Sequence, residues 1–246
     1  MKPGLGYAIG GYLAGIVGGG LATSAWSAVQ GSNRLSLGLL AAGLAGIWTG
    51  YLATIALATR RSLSHPGDKP PPRGAPKSAP TSARPGFRIA LPNDAVLGIA
   101  AGAAASIVLV PVVYTALRAV GLIDADDVHR LAGPAEKLAD AVGRGGPKFA
   151  VLVLLVGVGA PIVEECFYRG LVQPAATQTF GARAGVAITA AFFALAHLEP
   201  LQFPGLFAFG LVVGTLAYRT GRLGPGIVAH MVFNGLTLAR LAHLGG

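Results

Sequence analysis

Long apolar stretches follow one another along this chain, and its charges collect between them. A membrane-spanning helix needs roughly 20 mostly apolar residues, and candidate runs extend from about Tyr7 to Val29, Leu35 to Ala58, Ala95 to Val120, Phe149 to Val163, Ala184 to Leu198, Phe203 to Tyr218 and Gly226 to Leu241. The pattern predicts an all-α, polytopic transmembrane bundle of about seven spans. Gly11, Gly15 and Gly19 recur every four residues in the first run, a smooth strip along which another helix can pack closely. The Gly31-Ser32-Asn33-Arg34 turn joins the first two runs into a hairpin. The fourth run ends in Glu164-Glu165. A helix continuing from it through Arg169 to about Thr177 would hold Glu164 near its middle.

Composition sharpens this picture. The chain is 53% hydrophobic and only 12% charged, whereas soluble domains carry about 25% charged residues. The net charge of +9 lies mostly at the ends of apolar runs and in one segment, so it reads as a topology signal and not as a nucleic-acid surface. That segment, 60–94, is rich in Pro, Ser, Gly and basic residues and reads as a linker between an N-terminal hairpin, 1–59, and a helix bundle, 95–246. Its excess of Arg and Lys predicts that the linker and the N-terminus face the cytoplasm of a multi-pass cell-membrane protein. The first run lacks a small-residue cleavage site and reads as a retained helix. An acidic amphipathic stretch from Asp124 to Asp140 is expected on the outer surface. The single Cys166 excludes an intrachain disulfide, and the absence of an internal repeat weighs against a transporter.

Ionisable groups at membrane depth are costly and need a pairing or functional reason. Glu165 and Arg169 stand four apart in the favourable order for a helical ion pair. Glu164, rotated by about 100°, stays available to bind a water and is the candidate general base. The plainer alternative is a charged helix end. His197 closes the fifth run, and His230 and Asn234 share one helical face four residues apart. Each alone suits a satisfied interior residue as well as a catalyst. Together they suit hydrolysis: a carboxylate and an imidazole at low dielectric deprotonate a water, while the other imidazole and the carboxamide stabilise an oxyanion or help to hold a metal. His65, His129 and His243 lie in polar segments or at the end of the chain and read as solvated.

The elements Glu164-Glu165 with Arg169, Phe193 with His197, and His230 with Asn234 resemble the EExxxR, FxxxH and HxxxN motifs of the CPBP (CAAX protease and bacteriocin-processing) family, which includes the type II CAAX prenyl endopeptidases. Pro161, just before the acid pair, fits the same pattern, and the likeness runs from about Phe149 to Leu241. It implies an intramembrane endopeptidase in which Glu164 and His197 activate water, His230 and Asn234 stabilise the tetrahedral intermediate, and Glu165 and Arg169 support them. The family is often called a metalloprotease. The chain lacks HExxH, so a divalent metal such as zinc stays open; if bound, its ligands would be Glu164, His197 and His230. Expected partners are membrane lipids and a membrane-associated protein or peptide substrate, with no nucleic acid and an unassigned oligomeric state. A catalytically inactive scaffold, chaperone or immunity protein of the same fold is the alternative.

Overall fold

The computed structural model describes residues 3–32, 34–64 and 92–243. The described residues fold into helices without strands: α1 (Pro3–Gln30), α2 (Leu37–Ser64), α3 (Pro92–Ala119), the short surface helices α4 (Ala125–Arg130) and α5 (Gly133–Val142), α6 (Gly146–Phe180), α7 (Ala182–Leu195), α8 (Phe203–Thr220) and α9 (Gly224–His243). Five of these, α1, α2, α3, α6 and α8, are long and apolar enough to cross a membrane, while α7 is apolar but shorter. The burial pattern is that of a bundle built for lipid. Val17, Leu21, Val96, Ile107 and Leu154 are exposed, whereas Glu165, Arg169, Thr189 and His230 are buried. His65 and most of the basic segment lie outside the described residues.

The glycine strip of α1 acts as expected. A Cβ on Gly15 would stand 2.5 Å from the Tyr51 ring, and one on Gly11 would strike Phe167 and Thr54. The strip therefore lets α1 close on α2 and lets the hairpin lie against α6. α3 packs along α9 by the same device, with Gly102 against the Ala229 carbonyl and Gly98 against Pro225 and Val228. Asp94, buried at the start of α3, accepts a hydrogen bond from Arg222 on the turn before α9. Among the other histidines, His129 and His243 are exposed.

Three segments of the long helices widen into π turns, at Ala105–Leu109 in α3 and at Val153–Gly159 and Tyr168–Val172 in α6. Each is followed two residues later by a proline: Pro111, Pro161 and Pro174. Proline has no N–H and its ring collides with the carbonyl four residues earlier, so an ordinary helical turn fails there. The chain widens instead, and the N–H before each proline reaches five residues back, from Val110 to Ala105, Ala160 to Leu155 and Gln173 to Tyr168. Such bulges concentrate at functional sites, and two of them bracket Glu164 and Glu165.

Candidate active site

α6 runs through the centre of the bundle and presents Glu165, Arg169 and Gln173 one turn apart. Arg169 donates from Nη1 to Glu165 Oε1 at 3.0 Å and from Nη2 to the Gly210 carbonyl at 3.2 Å. Gln173 Nε2 donates to the Gly214 carbonyl at 2.9 Å. The row thus clamps α6 to α8 at two successive turns. Both members of the ion pair are fully buried, and Arg169 also lies over the Phe193 ring, 4.7 Å from its centroid. A buried ion pair tolerates desolvation best when further hydrogen bonds satisfy it; the Gly210 carbonyl and the His230 imidazole supply two, while Glu165 Oε2 and Arg169 Nε are left without a partner.

Glu165 has a second task. His230 of α9 places Nδ1 at 3.1 Å from Glu165 Oε1. That oxygen already accepts from Arg169, so the imidazole is the donor and Nδ1 carries the proton. In the neutral imidazole the other nitrogen, Nε2, holds a lone pair. It faces Glu164 Oε2 at 4.0 Å. Glu164 is 19% exposed, yet its Oε2 is buried without a hydrogen-bond partner. Two acceptors at this spacing suit the two protons of one water, whose hydrogen bonds of about 2.8 Å would hold them roughly 4.4 Å apart.

Asn234, one turn beyond His230, donates from Nδ2 to the Val156 carbonyl at 2.9 Å. The widened turn explains the contact. With Ala160 N–H bonded to Leu155, the donor that Val156 would need next belongs to Pro161, which has none. Asn234 replaces it. The carboxamide thereby fixes the bulge immediately before Glu164.

His197 is exposed, unlike His230. α7 ends at Leu195, and His197 follows on an exposed turn, its Nδ1 donating to the Phe193 carbonyl at 2.9 Å. Leu198 then turns the chain at φ 55°, a left-handed conformation uncommon outside glycine. Glu164 and His230 are brought together, and His197 touches Phe193, whose ring lies 4.8 Å from the His197 ring and 5.6 Å from the His230 ring. Phe193 is the common wall of the site. Phe209 completes it, 5.2 Å from the His230 ring and 6.3 Å from the Phe193 ring.

Residues 146–236 match the family of type II CAAX prenyl endopeptidases described as Rce1-like. The match agrees with the resemblance carried by the three motifs. The matched region contains every residue of the cluster from Glu164 to Asn234 and leaves out α1 to α5. No curated protein matches the chain, and no solved structure does.

A zinc site takes three or four protein ligands at about 2.0–2.3 Å. The proposed set does not meet that geometry. Glu164 and His230 face a common point, but His197 stands on the rim, and no group of three or more His, Cys, Asp or Glu side chains among the described residues is placed to hold an ion. No step below is routed through a metal.

Sequence reasoning passed over Gln173, Phe209 and the hairpin residue Tyr51, which reaches Tyr168 beside the acid pair. Gln173 had a legible signal, since it extends the Glu165–Arg169 row by one more turn. Phe209 and Tyr51 had none.

Proposed function

We propose that this chain is an intramembrane endopeptidase that hydrolyses a peptide bond of a membrane-associated protein or peptide. The observation that supports it is the placing of Glu164 Oε2 4.0 Å from His230 Nε2, with Nδ1 of the same imidazole bonded to Glu165, so that the neutral imidazole turns a lone pair towards the acid. A water between them donates one proton to each acceptor. As its oxygen attacks the scissile carbonyl carbon, one O–H bond breaks and that proton passes to Glu164. The tetrahedral intermediate collapses when Glu164 returns the proton to the amide nitrogen and the C–N bond breaks. His230 holds the water's second proton. His197, whose Nε2 likewise keeps its lone pair, borders the substrate at the rim, and Asn234 steadies the backbone under Glu164. This assignment moves water activation from His197, where the family resemblance puts it, towards His230.

We also assign the basic segment and the N-terminus to the cytoplasmic side, because the excess of Arg and Lys in 60–94 favours that orientation.

Glu164→Gln keeps the shape and removes the base. In proteoliposomes carrying a tethered peptide substrate, wild type is expected to cleave and Glu164→Gln to lose at least about 100-fold in rate. Cleavage that survives the change would leave the scaffold reading in place.

A further inference from the structure

At the end of the bundle away from the basic segment lies a recess that the proposed chemistry does not use. Its volume is about 360 Å³, and it is lined by Trp26 and Gln30 at the end of α1, Ser32, Arg34 and Ser36 in the hairpin turn, and Lys148 at the start of α6. That volume falls within the roughly 300–1,000 Å³ of small-molecule sites. Two cations from distant parts of the chain thus face one space. Close by, Arg130 is paired with Asp127 and Arg144 with Asp140. Among the described residues, no acid pairs with Arg34 or Lys148. An excess of Arg and Lys at the other end orients a membrane protein, but that rule gives no reason for two unpaired cations to converge here.

The hydroxyls of the lining are donors too. Ser36 Oγ accepts from the Leu39 N–H at 3.2 Å and Ser32 Oγ from the Arg34 N–H at 3.1 Å, so each has its own proton left to give. Two cations and two hydroxyl donors suit a phosphate, which a guanidinium can meet with two parallel bonds. The surroundings point to its source. The recess lies where three candidate spans, α1, α2 and α6, begin or end. Trp26 packs against Gly38 with its ring partly exposed, the setting of tryptophans at headgroup level. Val29 and Leu35 beside it are 80% and 46% exposed, an apolar flank for acyl chains.

We propose that this recess binds the phosphate of an anionic membrane phospholipid, and that the bound lipid ties the hairpin turn to the start of α6. Arg34 and Lys148 supply the charge, Ser32 and Ser36 the hydrogen bonds, and Trp26 the edge between headgroup and chains. The lipid braces the hairpin against the helix that carries Glu164. Its capture needs no peptidase activity, so a binding measurement tests it whether or not Glu164 is a base.

Phosphatidylglycerol is titrated into the full-length chain in neutral detergent, with phosphatidylcholine and inorganic phosphate as the other arms. Tryptophan emission, to which Trp26 contributes, and the unfolding temperature are read. Phosphatidylglycerol is expected to shift the emission saturably and to raise the unfolding temperature, with phosphatidylcholine at least about 10-fold weaker. At the usual contribution of one basic residue beside an anionic membrane, Arg34→Gln and Lys148→Gln should each weaken binding about 5-fold, and the double variant about 25-fold. Arg118→Gln, at the same end but outside the recess, should stay within about twofold of wild type. Equal binding of phosphatidylcholine, or a double variant that binds phosphatidylglycerol as tightly as wild type, overturns the proposal. Inorganic phosphate that gives the same shifts at the same concentration reveals a free-anion site and overturns the lipid assignment. Should the glutamine variants fail to fold, wild type decides: a site held by two exposed cations must lose affinity as salt rises from about 50 to 500 mM, and an affinity indifferent to salt overturns it.

Discussion

Glu165 and Glu164 are neighbours in sequence with opposite obligations. Glu165 is tied to Arg169 and His230, and truncating it leaves a guanidinium buried without its counter-charge. Glu165→Ala is therefore expected to cost about 3–5 kcal/mol of stability, measured by thermal unfolding in detergent, whereas Glu164→Gln should unfold near the wild-type temperature. The two histidines separate in the same way. His230→Ala should lower cleavage by about 100-fold or more and also lower the unfolding temperature, because His230 is 3% exposed, whereas His197→Ala should cost less cleavage and leave that temperature near wild type, because His197 stands on the rim. The ion pair and the free acid were legible from residue spacing, since positions four apart share a helix face and positions one apart do not. The partnership of His230 with Glu164 was not legible. It depends on how deeply α9 lies against α6, which no local pattern encodes.

At the level of elements, the site depends on close approach of helix backbones. Gly102 of α3 faces the Ala229 carbonyl, where an added Cβ would lie 2.3 Å away, and Ala229 immediately precedes His230. Gly102→Ala should push α9 outwards and cost about 1–3 kcal/mol, with a fall in cleavage although no polar group has been removed. A kinetic assay beside a thermal melt checks both effects. The prolines exert comparable control. Pro161 was recognisable in the sequence as part of the motif, but its consequence emerges only with the fold: it deprives Val156 of a donor and so creates the place that Asn234 fills. Asn234 could be chosen from its spacing to His230. Its partner could not, because a side chain that repairs a backbone defect 78 residues away leaves no trace in local periodicity.

For the whole molecule, the alternation of helices puts the turn at Ser32 and the turn after Thr220 at opposite ends of the bundle. Cys166, the single native cysteine, is buried, so cysteines introduced at these two positions should label one at a time. In sealed vesicles, a membrane-impermeant maleimide is expected to reach Ser32→Cys from the outer side and Thr220→Cys from the cytoplasmic side. Labelling of both from one side would refute the topology. The fold class was legible because apolar length and charge placement are properties of the chain alone. The packing of the hairpin on α6 was not, because it arises from ring stacking between Tyr51 and Phe167. One dimension of the bundle bears on the supply of water. α7 has 14 residues, about 21 Å at 1.5 Å per residue, against a hydrocarbon layer of about 30 Å. A span so short would draw headgroups and solvent towards the level of His197, and on the proposed function that local dimple is where hydrolytic water would enter and a severed polar end would leave.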